Sequence, residues 1–119
     1  MYTVQIHRKK KMASALMPYW IIVSDKEAFM KQNGLEGDLC EQSAAGFPIS
    51  RIRMDVLDQA GMRIRNGETI TLELEEPSAR LFASTMDGCL SSEMIITEDC
   101  ILTLTTKGGW RTVSRPWFE

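Results

Sequence analysis

Alternation of apolar and polar residues with a period of two is the feature that most constrains the fold of this chain. Residues 2–8 read YTVQIHR, in which every second side chain is apolar. The same alternation returns at 70–74 and at 100–105. Because successive side chains of a β-strand point to opposite faces, this pattern predicts strands that each bury one side.

Further strand patterns are separated by turn-forming residues such as Asn66-Gly67 and Gly108-Gly109, the second of which predicts a hairpin. The run at 15–23 is more continuously apolar, and Pro18 must begin that strand or lie at an edge. The predicted strands lie at 2–8, 15–23, 49–56, 62–65, 70–75, 79–85, 94–97, 100–105 and 110–114. Strands at intervals of about ten residues predict a mainly β chain. We therefore expect one domain over 1–119, an antiparallel β-sandwich of about 7–9 strands.

One short helix is predicted after the second strand. Ser24 and Glu27 have the S-x-x-E spacing of a capping box, and Asn33-Gly34 provides a helix-ending signal. The sequence therefore predicts a helix over 25–32. Residues 34–48 show no sustained period, and a loop of this length is typical of a functional or mobile segment.

The charge balance argues against strong nonspecific attraction to nucleic acid or to anionic lipid. The formal net charge is -2 at pH 7, although residues 1–65 carry +3 and residues 66–119 carry -5. A local positive patch is compatible with that uneven distribution. The longest apolar run, Tyr19–Val23, is far shorter than the roughly 20 residues that span a bilayer, so we expect no membrane partner.

The cysteines predict neither a disulfide framework nor a zinc site. Cys40, Cys89 and Cys100 are odd in number and show no C-x-x-C spacing, so we expect reduced thiols. The N-terminus has no apolar core of a secretory signal. We therefore expect a cytoplasmic location.

Two groups of basic residues are candidate anion-binding sites. A run of cations concentrates positive potential, although such runs are more often solvated turns. Arginines on one face of a predicted hairpin at 49–65 have guanidinium groups suited to bidentate binding of carboxylate or phosphate. The alternative for them is a water-facing surface balanced by nearby acidic residues. The candidates are Lys9, Lys10 and Lys11 in the run and Arg51, Arg53, Arg63 and Arg65 in the hairpin.

The aromatic pair Trp117-Phe118 follows Pro116 at the end of the chain, where termini usually fray. Exposed aromatic side chains there would form an adhesive patch. We expect them either to fold back over the core or to dock against another subunit. They are the candidate interface residues.

No catalytic motif is apparent in the sequence. The single histidine, His7, is not accompanied by a nucleophile elbow, and the phosphate-loop and dinucleotide-binding patterns are absent. One histidine without a dense acidic motif predicts no metal site, and we expect no cofactor. The chain is therefore predicted not to be an enzyme. The alternative places an active site in the loop at 34–48.

Residues 65–74, RNGETITLEL, and the following SARLFA at 78–83 resemble the middle of small bacterial immunoglobulin-like sandwich modules of the PEGA and carboxypeptidase-regulatory type. In this chain Glu76-Pro77-Ser78 replaces the corner glycine of those modules, and 24–48 has no counterpart in them. The resemblance implies an immunoglobulin-like, noncatalytic β-sandwich and carries over no functional residue.

These observations favour a noncatalytic interaction or accessory module that binds a protein partner or self-associates as a homo-oligomer. The alternative is an anion or nucleic-acid binder that uses the arginine-rich strand face. Nucleic acid is the less favoured partner because the chain as a whole is acidic.

Overall fold

A computed structural model describes residues 1–12, 17–34, 52–86, 88–107 and 115–119. Within these residues there are eight strands and two short helices. In chain order they are β1 (Tyr2–Arg8), β2 (Tyr19–Val23), α1 (Lys26–Gln32), α2 (Met54–Ala60), β3 (Gly61–Ile64), β4 (Thr69–Leu74), β5 (Ala79–Ser84), β6 (Met94–Ile96), β7 (Cys100–Lys107) and β8 (Arg115–Phe118).

The strands form two four-stranded sheets that pack face to face. Sheet A has the order β4-β1-β7-β8 and sheet B the order β3-β2-β5-β6. The prediction of a mainly β sandwich is confirmed. Most of the described ladders are antiparallel, but β1 pairs with β7 in parallel.

The main core lies between the two sheets. Sheet A contributes its even-numbered β1 residues, and sheet B contributes side chains such as Tyr19 and Ile21. All of these side chains are shielded from solvent, so their burial supplies the hydrophobic stabilisation of the sandwich. The fully enclosed members of this core are Val4, Ile6, Tyr19, Ile21, Ile64, Leu81, Ala83 and Leu104.

A second apolar cluster covers the outer face of sheet B. Trp20, Ile22 and Phe82 point away from the main core and pack beneath the helices. Phe29 of α1 meets Phe82 edge to face with ring centroids 5.2 Å apart, and Leu57 of α2 is fully buried. Strands β2 and β5 of sheet B are therefore covered on both faces. This explains the continuous apolar run of β2, because a strand buried on both sides has no polar face.

Helix α2 corrects the predicted strand at 49–56 and the hairpin that joined it to 62–65. Val56, Leu57 and Ala60 all belong to the cluster on sheet B, and their spacing of one and four residues suits one face of a helix. The alternation of Ile52, Met54 and Val56 was a poor guide to the fold, because helical contacts with Trp20 decide this segment. Among residues 52–65 of the predicted hairpin, 61–64 form a strand, β3, and 49–51 lie outside the described residues.

A buried arginine joins the two sheets at one end of the main core. Arg8, the last residue of β1, is fully buried, and its Nη1 donates a hydrogen bond to the Ile64 carbonyl at 2.8 Å. The guanidinium carbon lies 3.8 Å from the centroid of the Tyr19 ring. The Tyr19 hydroxyl shares a hydrogen bond of 2.7 Å with the Thr106 hydroxyl. Burial lowers the pKa of Arg8 from its ordinary value.

Several predicted boundaries shift by a few residues. Helix α1 forms as expected, but its cap is Asp25, whose carboxylate accepts from the Ala28 N–H at 3.1 Å, rather than Ser24. Gly34 follows that helix with a φ of 66°, as the ending signal requires. Residues 115–118, where fraying is expected, form strand β8. The predicted turn at Gly108-Gly109, the strand at 110–114 and the loop at 35–48 lie outside the described residues.

The expectation of three reduced thiols is wrong for one of them. Cys89 is disulfide-bonded, whereas Cys100 is free. Cys40 lies in the part of the chain that the structure does not describe. Disulfides are typical of oxidising compartments.

Gly61 should tolerate no side chain. It pairs with Ile22 in the β2–β3 ladder, and a Cβ there would collide with the Ile21 carbonyl oxygen and lie 2.7 Å from Ile22 Cδ1. Its φ of -159° is extended, so the obstacle is steric. We expect Gly61→Ala to lower the free energy of unfolding by about 3 kcal/mol in urea titrations.

Gly67→Ala is the matched control for this prediction. Gly67 has a φ of 79°, but a Cβ there would come no closer than 3.8 Å to Lys10. We expect a loss of about 1 kcal/mol from backbone strain alone. Equal losses in the two variants would contradict the steric explanation.

Candidate functional site

The outward face of sheet A, here called the open face, is the candidate site. Both described helices pack on sheet B, and the outward side chains of sheet A are mostly exposed. Among them, Ile101 is 73% exposed and Trp117 is 40% exposed. The open face consists of Thr3, Gln5, His7, Thr69, Thr71, Glu73, Ile101, Thr103, Thr105, Lys107, Arg115 and Trp117.

The strand registers arrange the open face in rows. Gln5 lies opposite Thr71 on one side and Ile101 on the other. In the next row, His7 lies between Thr69 and Thr103, and its Nδ1 is 2.7 Å from the Thr69 hydroxyl. The face is thus a threonine-rich surface with one isoleucine near its centre.

A shallow depression lies where β7 begins. It has a volume of about 410 Å³ and is open to solvent. Asp99 Oδ1 accepts a hydrogen bond of 2.8 Å from the Thr3 N–H, which fixes the carboxylate beside β1. The lining residues are Thr3, Gln5, Thr71, Asp99, Cys100 and Ile101.

Long charged side chains lie across the opposite end of the face. Lys107 Nζ is 3.8 Å from the centroid of the Trp117 ring. Lys9 Nζ lies 2.8 Å from Glu119 Oε2, so this pair reaches across β7 from β1 to the residue after β8. Thr105, although it points outward, is only 4% exposed. This end is therefore flat, with an aromatic ring under an ammonium group.

The sequence prediction missed this face, although one signal was present. Ile101 interrupts the polar positions of β7, since the side chains that share its face are Thr103 and Thr105. An isoleucine at an outward position is unremarkable by itself. It gains meaning here because both described helices pack on sheet B, and neither packs on sheet A.

The predicted arginine face does not form. Arg51 lies outside the described residues, and Arg53 precedes α2. Arg53 donates two hydrogen bonds to Asp55, from Nε at 3.0 Å and from Nη2 at 2.9 Å. Because 54–60 is helical, the alternation that placed four arginines on one strand face does not apply.

Arg63 belongs to the layer that covers sheet B. It donates to both oxygens of Asp58 at 2.7 Å, and Trp20 Nε1 donates to the same carboxylate at 2.8 Å. The guanidinium carbon of Arg63 lies 5.3 Å from the Trp20 ring centroid. Hydrogen bonds from Arg63 and then from Trp20 lower the pKa of Asp58 to about 2. The bond with Asp58 raises the pKa of Arg63. This group therefore pins α2 to sheet B.

The remaining basic candidates come together at one end of sheet A. The Lys11 N–H donates to Asn66 Oδ1 at 2.8 Å, next to the exposed Arg65. Lys10 lies beside Gly67, and Lys9 forms the ion pair with Glu119. Lys9, Lys10, Lys11 and Arg65 thus form a basic end of the sheet rather than a groove.

The two terminal aromatic candidates have different environments. Both lie in β8, which pairs with β7, so the terminus is a strand of sheet A. Phe118 is 8% exposed and packs in the main core, whereas Trp117 lies on the open face. Phe118 therefore folds back over the core, whereas Trp117 remains partly exposed.

Cys100 and His7 do not meet on one side of the sheet. Cys100 packs against the main core, whereas His7 points outward. Burial, with smaller contributions from Glu98 and Asp99, raises the pKa of the Cys100 thiol. A raised pKa disfavours the thiolate that nucleophilic chemistry requires.

Among the described residues, no group of three or more His, Cys, Asp or Glu side chains is arranged to hold a metal ion. Neither of the helices in that part of the chain has the length and apolar character needed to cross a membrane. No family model, no curated protein and no solved structure matches this chain. The resemblance to bacterial immunoglobulin-like modules accordingly stays a prediction.

Asp58 should contribute to stability in a defined pH range. Its pKa is lowered from 3.8 to about 2 in the fold, so its contribution is complete above about pH 4 and is lost as the pH falls through 2. Between pH 4 and pH 2, we expect the urea midpoint of the wild type to fall further than that of Asp58→Asn.

Asp55→Asn is the matched control for the acid series. Asp55 pairs with Arg53 on the exposed surface at the start of α2. We expect this variant to follow the wild type through the acid range. If Asp58→Asn lost as much stability as the wild type, the assignment to Asp58 would be wrong.

Proposed function

We propose that this chain is a noncatalytic interaction module that self-associates through the open face of sheet A. The observation that supports the proposal most directly is the difference between the sheets. The described helices cover the outer face of sheet B over β2 and β5, whereas no described helix packs on the outward face of sheet A, which exposes Ile101 and Trp117.

The chemistry of the open face suits a protein surface. Its threonine and glutamine side chains supply donors and acceptors, while Ile101 and Trp117 supply apolar area. Interfaces commonly place an aromatic anchor among polar groups that remain solvated at the rim.

The alternative, anion binding through an arginine-rich strand face, has lost its geometric basis. Arg53 and Arg63 each bind an aspartate with two hydrogen bonds, and they lie on elements that do not share a strand face. A loop-based active site at 34–48 lies almost wholly outside the described residues. The open face is therefore the stronger basis for a functional proposal.

The remaining expectations stay predictions. The bacterial immunoglobulin-like relationship rests on the residues at 65–83. The cytoplasmic location rests on the N-terminal sequence, and the disulfide at Cys89 is a bond more typical of oxidising compartments.

Association should depend on Ile101. In analytical ultracentrifugation over a wide concentration range, we expect the wild type to form a dimer. We expect Ile101→Glu to raise the dissociation constant at least about tenfold, because a carboxylate would be buried at the centre of the contact.

Ile95→Glu is the matched control for this experiment. Ile95 is 60% exposed on β6 of sheet B, and the substitution is chemically identical. We expect this variant to associate like the wild type. A wild type that stays monomeric throughout, or an Ile101→Glu variant that dimerises normally, would refute the proposal.

A further inference from the structure

Charges of opposite sign lie at opposite ends of sheet A. Strands β1 and β7 are parallel, so their C-terminal ends meet at one edge, where Lys107 and the basic end formed by Lys9–Lys11 and Arg65 lie. At the other edge, Glu73 pairs with Thr3, and Asp99 is bound to the Thr3 N–H. Glu98 precedes Asp99 there.

The positive and negative charges at the two ends of β7 lie at equal distances from one row of the open face. His7 lies opposite Thr69 and Thr103, and this row is here called the midline. Along β7, Asp99 lies four residues before Thr103 and Lys107 lies four residues after it. At about 3.3 Å per residue, each charge is about 13 Å from the midline.

From this geometry we propose that two copies pack their open faces about a two-fold axis along the midline, so that facing strands run in opposite directions. The inference rests on the proposed self-association and specifies its arrangement. Rotation about that axis keeps each strand over its own counterpart and reverses its direction. Lys107 then lies over Asp99 of the second copy, and the contact occurs twice.

The same rotation brings the apolar residues together. Ile101 precedes Thr103 by two residues, so it lies over Thr105 of the second copy. Thr105 pairs with Trp117 across β7 and β8, which places Ile101 about one strand spacing, roughly 4.8 Å laterally, from that ring. Ile101 of each copy is thereby placed beside Trp117 of the other, whose ring also carries the Lys107 ammonium group.

The other two-fold arrangement is electrostatically unfavourable. An axis parallel to the strands would keep each end of the sheet over the same end of the second copy. Lys107 would then face the basic end, and Asp99 and Glu73 would face other carboxylates. Like charges in contact select against a wrong pairing, so the antiparallel order is favoured.

Charge reversal with rescue tests this arrangement. Lys107→Glu and Asp99→Lys should each weaken dimerisation about tenfold, since each places like charges together twice per dimer. The double variant should recover to within about threefold of the wild type, and the wild-type dimer should weaken as salt is raised. Recovery in the double variant cannot come from a folding defect.

Lys31→Glu is the control for a change of net charge. Lys31 is an exposed residue of α1, which packs on sheet B, so its reversal should leave the dissociation constant unchanged. If Lys31→Glu weakened the dimer as much as Lys107→Glu, the specific contact would be refuted.

A cysteine on the midline provides a second, independent test. In a Cys100→Ser background, Thr103→Cys should form a covalent dimer with a bis-maleimide that spans about 8 Å, because the axis brings this residue over itself at the roughly 10 Å separation of packed sheets. Thr71→Cys, two residues from the midline, would also be offset from its counterpart by about 13 Å along the strands and should not cross-link. Equal cross-linking of the two variants would overturn the arrangement.

The outcomes separate this inference from the proposed function. If Ile101→Glu disrupts the dimer but the double charge variant stays weak, the open face is the interface and the antiparallel order is wrong. If Ile101→Glu leaves the dimer intact, the open face itself is wrong as the interface.

Discussion

Burial of both faces of β2 is the constraint on which the layered structure depends. Its even-numbered residues, such as Trp20, need cover from the helices, and its odd-numbered residues, such as Tyr19, need cover from sheet A. Both described helices are therefore committed to sheet B. Sheet A has the opposite role, since it covers one side of the core and presents its other side to the surroundings.

The polar contact at Arg8 complements that apolar layering. A guanidinium group enclosed between two sheets needs directed partners, and the Ile64 carbonyl and the Tyr19 ring provide two of them from sheet B. Apolar packing alone permits the sheets to slide relative to one another. The hydrogen bond from Arg8 to the Ile64 carbonyl and the stacking of Arg8 on the Tyr19 ring fix the relative position of the two sheets at this end.

Much of the fold could be predicted from the sequence because its signals are local. Alternation at 2–8 and 70–74 identified β1 and β4, and Pro18 marked the start of β2 closely. The alternation of Ile52, Met54 and Val56 predicts a strand, but 54–60 is a helix whose contacts with Trp20 are remote in sequence. Local pattern carries no information about such distant partners.

The candidate site was less predictable than the fold for the same reason. The spacing of the arginines predicts that they share one strand face. In the structure, Arg63 and Arg53 are instead oriented by their hydrogen bonds to Asp58 and Asp55. Ile101 shares the outward face of β7 with Thr103 and Thr105, and its exposure becomes informative only when the positions of the described helices are known. Trp117 and Phe118 are adjacent in β8, so their side chains point to opposite faces of sheet A. Phe118 enters the core and Trp117 lies on the open face.

The parallel pairing of β1 with β7 has a consequence for how the chain is made. Strand β1 is made before β7, and Thr3 must find Asp99, which is 96 residues later. Until β7 has been synthesised, the edge of β1 that pairs with it has no partner from β7. Long-range pairing of this kind slows folding and exposes a strand edge to other chains.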